Sequence, residues 1–149
     1  MKIELTPDNL PDVIRQIYAD SGLTITEAAK RAGIARSAFG RHVRGEDCMA
    51  SPSLGKYLRS AGYVIVLRRL VTAMPLHYPE TAIQIIDNHC STRGLRGDAY
   101  FDATGIYPAA ASRARNGKAS LRPKTWLNGL HKLGYTFFCV EQKSLSLFR

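Results

Sequence analysis

Apolar residues recur along this chain at two spacings, one typical of helices and the other typical of strands. Two stretches, ending at Gly22 and at Gly94, repeat their apolar residues every three or four positions, which places them on one helical face. The apolar positions are Leu10, Val13, Ile14, Ile17 and Tyr18 in the first stretch, and Ala82, Ile85, Ile86, His89 and Cys90 in the second. Because glycine often ends helices, the pattern predicts one amphipathic helix in each stretch.

Three further helices and one strand are predicted after each of these two helices. A two-turn helix should precede Gly33, with Thr26 as its N-cap, and Asp98 has the same capping position in the second half. The next helices are expected over 36–44 and 53–61, and again over 108–116 and 124–133. A Gly-Tyr pair and a run rich in β-branched and aromatic residues then close each half, at 64–67 and 136–140. Residues 72–78 are expected to be a linker, and 145–149 a frayed tail or an added edge strand.

The sequence repeats itself with a period of 72 residues. No gap is needed between Pro7 and Tyr63, and a period of this length corresponds to a whole small domain. Matching positions include Gly33 with Gly105, Ile34 with Ile106, Arg41 with Arg113, Gly45 with Gly117, Leu58 with Leu130, and Tyr63 with Tyr135. The repeat predicts two domains, residues 1–72 and residues 73–149, the second with a short C-terminal tail.

Two matching segments lie at the centre of the repeats. Residues 33–45, GIARSAFGRHVRG, and residues 105–118, GIYPAAASRARNGK, each resemble the turn and recognition helix of the lambda-repressor-like (Cro/cI, or XRE) DNA-binding family. The resemblance extends over nearly all of both halves. It implies a mainly α fold with two tandem four-helix helix-turn-helix domains, each ending in a short β-strand, and these strands can pair into a small two-stranded sheet.

The second segment departs from the family pattern at one residue. The family has a small residue in the middle of the first motif helix, where Ala29 fits and its counterpart Phe101 does not. On the next helix Phe39 is matched by Ala111, so large and small residues have exchanged places across one expected contact. Volume-conserving exchanges are tolerated in cores, and we therefore expect Phe101 to pack against Ala111 in a second helix-turn-helix.

Positive charge is concentrated in the same part of both halves. The chain has a formal net charge of +9, and residues 24–69 and 91–134 each contribute a net charge of +6. Residues 4–20, in contrast, have a net charge of −3. This distribution indicates a polyanionic partner, although a basic surface that only keeps the protein in solution would show it too.

The resemblance implies which residues contact double-stranded DNA, because the second motif helix lies in the major groove. The residues expected at the interface are Thr26, Arg36, Ser37, Gly40, Arg41 and Arg44 in the first half, and Tyr107, Ser112, Arg113, Asn116, Lys118 and Arg122 in the second. Arg36 and Arg41 are expected to contact bases, and Arg44 to contact phosphate. The alternative for Arg41 and Arg113 is a surface salt bridge, and for Tyr107 it is packing against its own helix.

The closing strands leave two assemblies open. If 63–67 pairs with 135–140, the chain is an intramolecular pseudo-dimer that can meet two unlike half-sites about one helical turn apart. If the strands pair between chains instead, the result is a homodimer with four motifs.

No pattern in the sequence indicates an enzyme, a metal site or a cofactor. The four histidines stand apart without metal-ligand spacing, and there is no Gly-rich phosphate loop. His42, His89 and Trp126 are expected to pack in the core. Cys48, Cys90 and Cys139 form no C-x-x-C pair and are expected to be buried thiols in a reducing compartment.

No signal-peptide core and no apolar run of membrane-spanning length is present, so a cytoplasmic protein without membrane contact is expected. The sequence therefore predicts a DNA-binding transcriptional regulator, a repressor of the kind found in prokaryotes, phages or plasmids. The alternative is a protein-interaction module, such as an antitoxin or a phage-encoded inhibitor, that retains the fold. RNA binding is less favoured, because there is no aromatic-rich sheet motif.

Overall fold

The computed structural model of the protein describes residues 2–46 and 49–148, without the side chains of 146–148. The first half contains β1 (Lys2–Leu5), α1 (Leu10–Ser21), α2 (Ile25–Ala32), α3 (Arg36–Val43), α4 (Ser51–Ser60) and β2 (Tyr63–Arg69). The second half contains β3 (Thr72–Leu76), a 3₁₀ turn (Pro79–Thr81), α5 (Ala82–Thr92), α6 (Asp98–Thr104), α7 (Pro108–Arg115), α8 (Pro123–Lys132), β4 (Thr136–Glu141) and a C-terminal 3₁₀ segment (Gln142–Phe148). The helices α1, α3 and α4 begin 72 positions before α5, α7 and α8, which matches the period of the sequence.

The predicted fold class is wrong. Within the described residues the chain forms eight α-helices and a four-stranded antiparallel sheet, so the fold is mixed α and β. The prediction missed β1 and β3. The strand β1 has only four residues, and β3 contains Pro75, which favoured the prediction of a linker over this segment. Proline is tolerated there because β3 is an edge strand, where one row of amide groups needs no partner.

The strand order is β1-β4-β2-β3, and the closing strands of the two halves form the central pair. In this pair Val66 lies directly opposite Phe138, and these two residues occupy equivalent positions in the two repeats. A residue that pairs with its own counterpart across antiparallel strands lies on a local two-fold axis. The halves are therefore related by a pseudo-two-fold axis between Val66 and Phe138. Of the two strand pairings that the sequence left open, this is the pairing within one chain.

Both closing strands have partners on each side within the same chain. The strand β4 pairs with β1 and β2, and β2 pairs with β4 and β3. Neither keeps an unpaired row of backbone groups, so a homodimer formed by strand pairing would have to use the outer edge of β1 or β3.

One hydrophobic core lies between the sheet and the helices and contains residues from both halves. Its sheet face includes Leu5, Ile65, Leu67, Phe137 and Cys139, all at most 2% exposed. Two further contacts join the halves at the start of α4, where Ser51 is buried. The Ser51 hydroxyl donates to the Leu121 carbonyl at 2.5 Å and accepts from Trp126 Nε1 at 3.0 Å. Trp126 is thus a core residue, as expected.

The opposite face of the sheet is covered by the end of the chain. Val64, Val66 and Val140 are buried there, and Leu145 of the 3₁₀ segment packs against them. The expectation of a frayed tail or an added edge strand over 145–149 is therefore wrong for the described part. Residue 149 lies outside the described residues.

Candidate nucleic-acid interface

A short turn joins α2 to α3 and a matching turn joins α6 to α7. Gly33 and Gly105 occupy the left-handed region, with φ of 70° and 72°, where an L side chain is strained. The Ile34 amide donates back to the Ala29 carbonyl at 3.1 Å, and the Gly105 amide donates to the Phe101 carbonyl at 2.7 Å. The paired glycines of the repeat thus serve one purpose, which is to end one helix and redirect the chain into the next.

The side chain of Phe39 fixes the rotation of α3. Phe39 is fully buried, and its ring makes edge contacts with Tyr18 and Tyr57 at centroid distances of 5.7 and 5.1 Å. Ala29 of α2 is also buried, as the sequence predicted. Because this face of α3 is held against three elements, its opposite face is presented to solvent.

That opposite face carries the predicted arginines. Arg36, Ser37, Arg41 and Arg44 are exposed, and together with Ile25 they line a shallow depression between α2 and α3. Gly40 departs from the prediction, because it is buried at the floor of the depression. A Cβ at this position would lie 3.2 Å from Arg44 Nη1, so the glycine is covered by the Arg44 guanidinium.

The first-half cations differ in their partners. Arg44 is paired with Glu46 through two hydrogen bonds of 3.1 and 3.2 Å, and this contact raises the pKa of Arg44 and lowers the pKa of Glu46. Within residues 2–46 and 49–148, Arg36 and Arg41 form no ion pair or side-chain hydrogen bond. In the described part of the chain their guanidinium donors are therefore available to a ligand, although the Arg41 charge also helps to lower the pKa of Glu46.

Thr26 does not cap α2. The helix begins at Ile25, and the cap is Thr24, whose hydroxyl oxygen accepts from the Glu27 amide at 3.2 Å and donates to Glu27 Oε1 at 3.0 Å. Thr26 remains exposed in the first turn. The second half also departs from the prediction, since the residue before α6 is Gly97 and Asp98 lies inside the helix.

Tyr107 stands at the start of α7 and is 68% exposed. Its ring stacks on Phe101, with centroids 4.7 Å apart and an interplanar angle of 26°. The expected packing of Phe101 against Ala111 is therefore wrong, because Phe101 is only half-buried and lies beneath Tyr107. The two rings form an aromatic platform. Tyr107 is therefore not a free side chain, and its environment is closer to the packing alternative.

The aromatic residue of α6 that enters the second-half core is Tyr100. Tyr100 is buried, with 6% exposure, and its counterpart in the first half is the much smaller Ala28, which is also buried. The Tyr100 hydroxyl donates to Asp87 at 3.1 Å, and burial followed by the nearby Asp87 charge raises the pKa of Tyr100. Arg115 also binds Asp87, through bonds of 2.5 and 2.9 Å. This triad was not predicted from the sequence, although two adjacent aromatic residues in α6 indicate that one of them must face inward.

The remaining second-half residues form a mixed surface. Ser112 is half-buried and accepts weakly from the Asn116 amide group at 3.4 Å. Arg113, Lys118 and Arg122 are exposed and form no ion pair within the part of the chain that the structure describes. Lys124 lies 3.5 Å from Asp8, so its positive charge is partly neutralised.

Acidic residues are absent from a long part of the second half. The sequence has no Asp or Glu between Asp102 and Glu141, a segment that includes all of α7 and α8. The segment that contains α7 and α8 therefore contributes only positive charge, although α7 itself presents fewer free arginines than α3. The expected interface is strongly cationic in both halves and chemically different in each.

Several titratable groups are buried in the part of the core that the structure describes. Burial raises the pKa of the Cys139 thiol to about 12, and it also raises the pKa of Cys90. His42 is buried, and Cys48 lies outside the described residues. Among the described residues, no three His, Cys, Asp or Glu side chains are grouped so that they could hold a metal ion.

Comparisons with family models, with curated proteins and with solved structures found no match to this chain. In its described part, no helix is both long enough and apolar enough to cross a membrane.

Proposed function

We propose that the chain is a sequence-specific double-stranded DNA-binding regulator, a transcriptional repressor that acts in the cytoplasm as a single-chain pseudo-dimer. The observation that carries the proposal is the repetition of one arrangement, a cationic helix after a glycine turn, about the Val66–Phe138 axis. Two such helices suit two half-sites of a DNA duplex. Arg36 and Arg41 are assigned to bases, and Ser37 and Arg44 to phosphates.

The second half is assigned a different role at its own half-site. Arg113 is the one arginine on the expected contact face of α7, and Lys118 and Arg122 follow it with backbone contacts. With fewer base-directed arginines, this half should discriminate less between sequences than α3 does. We therefore expect the preferred site to contain two unlike halves.

Binding to duplexes selected from a random pool tests the proposal directly. Affinity should fall steeply with salt, and each phosphate-binding cation that is removed should reduce the slope of log affinity against log salt by about one. Arg41→Ala should cost about 1–3 kcal/mol and relax specificity in one half-site, and Arg113→Ala should alter only the other.

Lys143→Ala is the matched control, because it removes one positive charge at a position that is distant in sequence from both α3 and α7. Lys143 is already paired with Glu141 at 2.9 Å, so affinity should barely change. Binding that is weak, insensitive to salt and equally affected by all three substitutions would contradict the proposal.

A second candidate is a protein-interaction module. The observation that favours it is the exposed Tyr107–Phe101 platform, since stacked aromatic surfaces are common at protein contacts. Under this alternative no duplex is selected from the pool, and Tyr107→Ala abolishes binding to a protein partner.

A further inference from the structure

The turn between β2 and β3 is the most exposed apolar feature among the described residues. Leu70 and Val71 form this two-residue turn and are 79% and 98% exposed. Neither side chain contributes to a core cluster, so their apolar surface is not explained by folding.

The same turn is conformationally strained. Leu70 has φ of 55°, and within the described residues it is the one non-glycine residue with positive φ. Since Val71 does not share this conformation, the turn needs positive φ at its first central position, where hairpins strongly prefer glycine. A leucine here costs stability, and a side chain kept at such a cost suggests a function in contact with a ligand.

The base of the hairpin is rigid and cationic. Arg69 Nε donates to the Leu133 carbonyl at the end of α8 at 3.2 Å, which holds the hairpin against the second half. Arg68 is exposed beside it, and the sequence contains no acidic residue between Asp47 and Glu80. An apolar tip on a positively charged ribbon is complementary to a polyanion whose interior is apolar.

We propose that the Leu70–Val71 tip enters the minor groove of bound DNA and wedges apolar side chains between adjacent base pairs, while Arg68 contacts the backbone. Apolar wedges flanked by cations unstack a base step and bend the duplex. This inference rests on the proposed function and adds a second mode of contact to it. The hairpin is held to the end of α8, in the half whose helix α7 has fewer free arginines.

The pseudo-two-fold arrangement does not provide a second wedge. The chain that follows β4, in the place equivalent to this turn, is the 3₁₀ segment Gln142–Phe148, and its Leu145 folds back onto the sheet. The wedge should therefore bend the site on one side only.

The double substitution Leu70→Gly and Val71→Ser tests the wedge without harming the fold. It removes both apolar side chains and installs the residue types that such a turn favours, so the melting temperature should rise. Binding to the selected duplex should nevertheless weaken by about tenfold or more, with the wild-type bend lost in an end-to-end energy-transfer measurement. A 2-aminopurine at the wedged step should brighten with wild-type protein and stay dark with the variant.

Met74→Thr is the control, because it removes an exposed apolar side chain from the same hairpin away from the tip. It should leave affinity, bend and fluorescence unchanged. If wild-type protein binds its duplex with salt-dependent affinity and the double variant binds and bends it equally well, the wedge is wrong and the proposed function stands. If the wild-type protein selects no duplex, the proposed function itself fails.

Discussion

The two halves of the molecule share a backbone plan and fill it with different side chains. In the first half an aromatic cluster of Tyr18, Phe39 and Tyr57 holds α3 in place. The equivalent positions in the second half are Cys90, Ala111 and Gly129, all much smaller. Here Tyr100 and Ile106 are buried instead, at 6% and 2% exposure. One helix arrangement therefore accommodates different core side chains in its two copies.

The link between the first and third helices shows the same principle in polar form. In the first half, Arg15 Nε donates to the Val43 carbonyl at 2.8 Å. At the same two positions of the second half, Asp87 and Arg115 form an ion pair. One position therefore changes from donor to acceptor while the contact between the helices is kept.

The largest effect is expected from Phe39→Ala, which should reduce the free energy of unfolding by about 3–5 kcal/mol because it leaves a cavity in the first-half core. Phe101→Ala is the comparison in the second half, and it should cost only about 0.5–1.5 kcal/mol because that ring stacks at the surface. Urea denaturation followed by circular dichroism measures both. Similar losses from the two substitutions would contradict the assignment of Phe39 as the anchor.

Mid-helix glycines should respond in opposite directions in the two halves. A Cβ on Gly129 would lie 3.0 Å from Ile106 Cδ1 and 3.3 Å from the Thr104 carbonyl oxygen, so Gly129→Ala should destabilise by about 1–3 kcal/mol. A Cβ on Gly40 meets only the mobile end of Arg44, so Gly40→Ala should gain about 0.5–1 kcal/mol of helix stability. Thermal unfolding of both variants checks the signs, and a stabilising Gly129→Ala would show that the second core is loosely packed.

The two buried tyrosines should also differ. Tyr100→Phe removes a hydrogen bond to Asp87 and should cost about 1 kcal/mol. The Tyr57 hydroxyl is buried without a hydrogen-bond partner among the described residues, so Tyr57→Phe should be neutral or slightly stabilising. Equal losses in chemical denaturation would mean that Tyr57 has a polar partner after all.

The last prediction concerns stability in strong base and has no effect near neutral pH. Burial raises the pKa of Tyr57 to about 12, and it also raises the pKa of Tyr100, whereas an unfolded tyrosine ionises near pH 10. The stability that the two un-ionised tyrosines contribute is therefore fully present below about pH 10, and it is lost as the pH rises through about 12. Unfolding measured from pH 9 to 12 should show a shallower decline in the Tyr57→Phe, Tyr100→Phe double variant.

Much of the helical framework could be predicted because it depends on local signals. The glycines at 22, 33 and 105 end helices where expected, whereas α5 is capped by Arg93, one residue before Gly94. The helices α3 and α7 begin at Arg36 and Pro108 as predicted. The pairing of β2 with β4 was one of two alternatives, since the pattern of a strand does not name its partner. The strands β1 and β3 were missed because they are short and because their stability comes from pairing across the sheet.

Side-chain placement at the candidate site was less predictable. The prediction placed Phe101 in the core because the repeat aligns it with Ala29, but α6 begins at Asp98 and α2 at Ile25, so the first turns are not equivalent. A small difference in helix rotation decides whether Tyr100 or Phe101 faces inward, because successive residues lie about 100° apart. The burial of Gly40 depends on where the Arg44 side chain lies, which the spacing of residues does not determine.

The pairing of β1 with β4 has a consequence for the order in which this molecule is built. Lys2 lies opposite Val140, so during synthesis β1 waits for a partner that lies 138 residues later in the chain. Contacts that are so distant in sequence form slowly, and until then β1 and the core beneath it stay open to water. We expect nascent chains that stop before β4 to be recognised by chaperones and proteases, because only the arrival of the last strand closes the sheet.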